Sequence, residues 1–355
     1  MTFGPRHYMP VLKVKRGEKK ALQVIAPALQ QHIIPLMEIV ERKSERVPNI
    51  NHHLDTAFKD LDLSIRPYAR FLFDTREIAP DGPAAVAEVY RRAATARMRF
   101  TPVTGLSRSA DVSAALSHRS NGIAVRLTRA EFEAGELTRD LRAFLSRHGL
   151  APEELDLVVD LGAVEDLIAE GVANLTQEFL AAVPDQTRWR TLTVTACAFP
   201  MSMRGVDRHS SQIVERAEWR AWRNLLHPVR QSLRRLPTFG DYAIQHPKGV
   251  EGFDPRTMQV SATVRYTLPN DWLLIKGEST RTVAATQQFP RLAKRLVYGD
   301  LHSHFAGGTH CSGCKSIKAA ADGAPKLGSA ETWRRLGTIH HITMVMDGLA
   351  ALPWP

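Results

Sequence analysis

A chain of 355 residues that is 44% hydrophobic and 24% charged can bury a large core and does not have the composition of a disordered or fibrous protein. Its 47 Lys and Arg exceed its 37 Asp and Glu, a formal charge of +10, which favours an anionic partner: nucleic acid, a nucleotide or another phosphate compound. Three cysteines are too few for a disulfide framework and fit a reducing cytoplasm; no signal-peptide apolar region and no run of roughly 18 apolar residues is present, so neither export nor a membrane helix is expected.

Eight short apolar runs follow in chain order, at 8–14, 32–40, 70–74, 100–104, 122–127, 155–160, 191–196 and 238–244. Each is too short for a buried helix and several are β-branched, so each is read as a strand. Most are apolar on both alternating faces, the pattern of parallel strands covered on both sides. Helical signatures lie between them. The stretch 83–97 is Ala-rich, 128–148 opens with a capping box at Thr128 and Glu131, and 164–182 and 213–236 are long and amphipathic. Strands alternating with helices eight times predict a closed (β/α)8 barrel of the TIM type. An open doubly wound sheet would need a Gly-rich phosphate loop after the first strand, and Lys15-Arg16-Gly17-Glu18 is not one.

Beyond the eighth run the pattern changes. Stretches 258–266 and 271–277 predict a β-hairpin around Leu268-Pro269-Asn270. A helix over 289–297, a Gly- and His-rich loop over 299–326 and a helical or strand segment over 330–346 follow. The expectation is one barrel domain over 1–355, with 254–330 an elaboration around the closing helix, beside the barrel mouth.

In a β/α barrel the strand C-termini converge on the mouth. Those ends carry Lys13, Lys15, Glu38, Asp74, Arg76, Arg108, Arg126, Asp160, Arg204 and Asp241. Charges beside apolar strands are costly to bury unless paired. Glu38, Asp74 and Asp160 are therefore candidate catalytic carboxylates, ringed by Lys13, Arg76 and Arg126. They would bind a divalent ion, Mg or Mn, or act as acid and base around a phosphate held by the cations. Lys15, Asp241 and Arg265 are further candidate ligand contacts. The alternative is a set of charge pairs that plugs the barrel end.

Arg216, Arg220 and Arg223 follow helical spacing and would share one face, either a track for a phosphate backbone with Trp219 and Trp222 nearby or a solvated face whose tryptophans pack on the barrel. Cys311 and Cys314, with histidines such as His302 and His310, are candidate zinc ligands, or a loop with incidental histidines. No Walker loop, Gly-x-Ser-x-Gly elbow or His-Glu-x-x-His is present, which argues against P-loop NTPases, α/β-hydrolases and common metalloproteases.

Several short elements recur in a shared order: Met9-Pro10-Val11-Leu12-Lys13-x-Lys15-Arg16-Gly17-Glu18, Pro35-Leu36-Met37-Glu38-Ile39, Phe239-Gly240-Asp241-Tyr242, Val264-Arg265-Tyr266 and Trp333-Arg334-x-x-Gly337-x-x-His340-His341-Ile342-Thr343. Together they resemble the bacterial and phage family called beta protein. The resemblance implies a defence-type role in phage–host conflict, alongside a partner nuclease, and no particular reaction. The Cys311 and Cys314 pair lies outside its pattern. Two functional expectations follow. The barrel mouth cleaves a phosphoester in a nucleotide or nucleic acid, or the barrel is a binding module that recognises such a ligand and works through its partner.

Overall fold

The computed structural model describes residues 3–249, 260–325 and 327–354. The expected first residue of the hairpin, Met258, and the expected end of the Gly- and His-rich loop, Lys326, lie outside the described residues. The chain divides into two compact units: Met1–Lys15, Gln30–Cys197 and Ala217–Tyr242 form the first, and Arg16–Leu29, Ala198–Arg216 and Ala243–Pro355 the second.

The first unit is a closed parallel barrel. The eight expected runs form β1 (Tyr8–Lys13), β2 (Leu36–Glu38), β3 (Phe71–Asp74), β4 (Phe100–Thr104), β5 (Ile123–Thr128), β6 (Leu155–Ala163), β7 (Thr191–Cys197) and, after β8 (Ser211–Glu215) of the second unit, β9 (Thr238–Asp241). Each barrel strand pairs in parallel with its neighbour, and β9 closes the ring between β7 and β1. Helices cross between strands, among them Pro83–Thr95, Ser109–Ser117, Leu137–His148 and Ala169–Ala182. The capping box at Thr128 and Glu131 forms, on a shorter helix, Arg129–Glu133. Apolar packing holds helices to strands. Tyr90 stacks on Phe100 at 5.7 Å between ring centres and meets Phe73 edge-on at 6.4 Å.

Register sets the heights of the charged residues. Lys13 on β1 lies opposite Glu38 on β2, and Glu38 lies opposite Asp74 on β3. Asp160 on β6 lies opposite Thr195 on β7, which lies opposite Gly240 on β9. At the closure the backbones approach closely. A Cβ on Gly240 would lie 2.5 Å from Thr195 Cγ2 and 2.9 Å from the Met9 carbonyl, so this position has room only for glycine.

The long helix expected over 213–236 does not form. Residues Ser211–Glu215 are β8, Ala217–Arg220 make one helical turn, and Ala221–Leu226 continue as a wide turn in which His227 N–H reaches back to the Trp222 carbonyl. Pro228 lacks the N–H that a continuing helix needs, and the segment runs on in turns. Trp219 and Trp222 pack against Phe239 of β9, with ring centres 5.0 and 5.7 Å away. Of the two roles expected for the tryptophans, the packing one matches this placement.

The second unit is built on an antiparallel sheet ordered β10 (Ser261–Thr267), β11 (Asp271–Ser279), β8. The expected hairpin is present, closed by the Leu268 N–H on the Asp271 carbonyl at 2.7 Å. Helices Arg16–Leu22, Ala285–Tyr298, Ser312–Ala321 and Ala330–Ala350 belong to this unit. The segment expected as helix or strand over 330–346 is thus a helix, and the expected loop over 299–326 contains the helix Ser312–Ala321. Ala330–Ala350 approaches β10 at Gly337, where a Cβ would stand 2.8 Å from the Arg265 carbonyl and 2.7 Å from Ile244 Cδ1. No helix of the described residues is long and apolar enough to cross a membrane.

Gly240→Ala is expected to destabilise the protein by about 1–3 kcal/mol through overpacking, read as a lower urea midpoint with the same slope. A change below about 0.5 kcal/mol, the scatter of neutral surface substitutions, would show that the closure is looser than described.

Candidate functional site

Arg126 organises the C-terminal end of the barrel. It lies on β5 with no exposed surface. Its Nη1 donates to Glu38 Oε1 and to Asp74 Oδ2, each at 2.6 Å, and its Nε to Asp160 Oδ2 at 3.0 Å. Its Nη2 lies 2.8 Å from Asp160 Oδ2 and donates to the Tyr242 hydroxyl. Tyr242 in turn hydrogen-bonds the Asp160 carboxylate at 2.8 Å. The three expected carboxylates therefore meet at one point, and a guanidinium fills it.

Further cations complete the ring. Lys13 Nζ lies 2.8 Å from Glu38 Oε2 and also pairs with Glu77. Arg108 grips Asp74 with both terminal nitrogens, at 2.6 and 3.2 Å. The remaining Asp74 and Asp160 acceptors are taken by the backbone N–H groups of Arg76 and Gly162 and by the Thr195 hydroxyl. Arg76 is the loosest member, 34% exposed, with Glu38 at 3.6 Å and Asp160 at 3.9 Å. Burial would raise the Glu38 carboxyl, but Lys13, Arg126 and Arg76 outweigh it and hold it down at about 2. Asp74 is likewise held below the carboxylate range: burial opposes ionisation, and Arg108 and Arg126 overcome it. Carboxyls held this low are poor general bases and do not carry a proton near neutrality. A divalent ion would need the oxygens that the guanidiniums occupy.

The second unit contains a cavity of about 310 Å³. Among the described residues, Arg204, Arg208, Arg265, Lys276 and Arg334 line it and no Asp or Glu does. Trp333 stacks on Phe289, ring centres 5.0 Å apart, and both contribute to the wall. Arg265 is half-buried, its guanidinium over the Phe199 ring and its Nη1 donating to the Ile244 carbonyl at 2.7 Å. Burial pushes the Arg265 guanidinium down, and neighbouring Arg334 pushes it further, with only Glu18 acting in the other sense. An arginine stays protonated regardless; of the other wall cations, Arg334 faces Glu18 at 3.8 Å and Arg208 pairs with Glu278 at 3.0 Å.

A family model described as Beta protein matches residues 8–347. The chain belongs to the Beta protein family. No curated protein matches it in sequence. The family's extent covers the charged ring of the barrel and the cation-lined cavity alike.

The other residues singled out in this family member fall in scattered places. Lys15 is exposed. Asp241 accepts from the Tyr8 hydroxyl, and Tyr242, one residue on, joins the Arg126 network. Arg216 follows β8 and is buried against Trp272, ring centre 5.7 Å away, whereas Arg220 and Arg223 belong to the turns after it. The expected single helical face for the three arginines is not formed, because the helix it needed is interrupted. Cys311 and Cys314 lie together, but with His340, while His302 hydrogen-bonds the Val297 carbonyl. Arg108, expected at a strand end, joins the ring, and Glu77 and Tyr242 enter it although composition did not single them out. Tyr242 was visible as the last residue of the Phe-Gly-Asp-Tyr element.

Replacing Arg126 with Met would leave three buried carboxylates short of a partner and is expected to cost about 3–5 kcal/mol, measured by urea unfolding; a loss under about 1 kcal/mol, the size of a surface ion pair, would contradict the network. Because the Glu38 carboxyl is lowered on folding, its stabilisation is complete above its ordinary value of 4.5 and is lost as pH falls towards about 2. Unfolding free energy should therefore fall through that acid window, and Glu38→Gln should flatten the fall. Equal slopes in both proteins would rule out Glu38 as a source.

Proposed function

We propose that the protein binds a phosphate-bearing ligand in the cavity of the second unit, with Arg265 and Arg334 as its central contacts. The observation that carries this reading is a concave site whose wall, among the described residues, has five cationic side chains and no carboxylate. Phosphate oxygens are recognised by converging charged donors, arginine forks above all. A bound phosphate would also offset the half-buried charge of Arg265. The volume, about 310 Å³, stands at the small end of ligand sites, and Trp333, Phe289 and Met201 give it an apolar side. A nucleotide or the end of a single strand fits that description, and a duplex does not enter it. The chain's charge of +10 is consistent with such a partner.

Phosphoester cleavage at Glu38, Asp74 and Asp160 would require Mg or Mn to displace the Arg126 guanidinium. We therefore assign those carboxylates to holding the barrel and read the protein as the recognition subunit of a phage–host conflict system, with cleavage left to a partner nuclease. The conflict role rests on the family resemblance.

Titration of the full chain with pyrophosphate and with a nucleoside triphosphate, followed by calorimetry, tests the reading. Binding should weaken as salt rises, and Arg265→Gln with Arg334→Gln should weaken it at least about 10-fold, the scale of one lost charged hydrogen bond. Unchanged affinity in that variant, or loss of binding on Arg76→Gln instead, would refute the assignment.

A further inference from the structure

The second unit holds a cluster of soft donor atoms that the proposed ligand site does not use. Cys311 caps the helix Ser312–Ala321, its Sγ accepting from the Cys314 N–H at 3.3 Å. His340 projects from the helix Ala330–Ala350. Its Nδ1 lies 3.2 Å from Cys314 Sγ and 4.0 Å from Cys311 Sγ, and the three donor atoms all fall within 4.8 Å of one another. Tetrahedral zinc with Zn–S of about 2.3 Å and Zn–N of about 2.0–2.1 Å separates its ligands by about 3.6 Å, between the two observed S···N distances.

The hydrogen bonds around the cluster leave acceptors facing its centre. His340 Nε2 is 2.8 Å from the Thr267 carbonyl, which can only accept, so Nε2 carries the proton and Nδ1 presents a lone pair to the sulfurs. The Tyr266 hydroxyl accepts from the Ala306 N–H at 3.0 Å and is placed to donate to Cys314 Sγ at 3.4 Å. Two sulfurs and an imidazole nitrogen thus converge where a cation would satisfy all three. The carbonyl on the far side of the ring is the outer-sphere partner that metal-bound histidines usually have.

His310 is the candidate for a fourth ligand. Its ring centre is 5.3 Å from that of His340, and its buried Nε2 has no hydrogen-bond partner among the described residues. Its Nδ1 faces the Asp347 carboxylate at 3.7 Å, the carboxylate–histidine arrangement that orients metal ligands. His310 lies outside the cluster of Cys311, Cys314 and His340, so its ring would have to turn to bring Nε2 to the other donors.

We infer that Cys311, Cys314, His310 and His340 form a structural zinc site. Four protein ligands leave no open position, so the ion would hold structure and would not activate water. It would tie the segment at His310 and the start of Ser312–Ala321 to the long helix Ala330–Ala350.

Metal analysis of the full chain, purified under reducing conditions without chelator, should find about one zinc per molecule. The stripped chain should take up cobalt with the sulfur-to-cobalt charge transfer and visible bands of a tetrahedral thiolate site. Cys311→Ser, Cys314→Ser and His340→Ala should each weaken cobalt binding by about 100-fold or more, and His310→Ala by about 10-fold, the range over which metal-site substitutions act. Cys197→Ala and His302→Ala should bind as the parent does. The cobalt spectrum of the unsubstituted chain does not depend on whether a variant folds. A folded parent chain that binds neither metal, metal retained by the Cys311→Ser, Cys314→Ser double variant, or an intact Cys311–Cys314 disulfide in place of metal would overturn the inference.

Discussion

Arg126 sits on β5 with no exposed surface, and its guanidinium meets carboxylates carried by three other strands, Glu38 on β2, Asp74 on β3 and Asp160 on β6. A cation in that position cannot be left without partners, because the interior offers no water to replace them. The requirement fixes register. Glu38 and Asp74 must lie side by side across the β2–β3 pair, as they do, and a shift by one residue would turn one of them to the opposite face. Buried ion networks contribute less to stability than an apolar core of equal volume. Here the network reads as a device that selects one closure of the ring, and the close approach at Gly240 serves the same closure.

The two units distribute charge differently. At the barrel end Lys13, Arg76, Arg108 and Arg126 are answered by Glu38, Asp74, Asp160 and Glu77. Among the described residues, the wall of the second unit's cavity has five cations and no acid; Glu18 and Glu278, which do not line it, face Arg334 and Arg208. An anion gains little from a site whose charges already balance, and more from one where a half-buried arginine lies beside another arginine. The position of the acids at strand ends draws attention to the barrel mouth, yet the balance of charge favours the cavity.

Much of the barrel was legible in the sequence. Parallel strands buried on both faces are nearly continuous apolar runs, and Phe100–Thr104 was read to the residue. The convergence of Glu38, Asp74 and Asp160 followed from the barrel itself, since only strand ends around one axis could bring those positions together. What occupied their centre did not follow, because pattern alone cannot tell Arg126 as a bridging cation from Arg126 as a ligand contact. The segment 213–236 failed for a different reason: the start of the expected helix overlapped Ser211–Glu215, which pairs with β11, and long-range pairing overrode local periodicity. Helix Ser312–Ala321 was hidden by the glycines and histidines before it. The cavity was invisible because its cations come from positions 204, 208, 265, 276 and 334, with no shared local pattern.

Membership of the Beta protein family covers barrel and second unit together, so an account of function must give each a role. In the function proposed above, the barrel is a scaffold locked by Arg126 and recognition of phosphate belongs to the second unit. Anomalous diffraction from crystals soaked in tungstate, a heavy phosphate mimic, tests that division most directly. The account predicts a peak between Arg265 and Arg334 and none beside Arg126; a peak against Arg76 at the barrel end, with the cavity of the second unit empty, would contradict it.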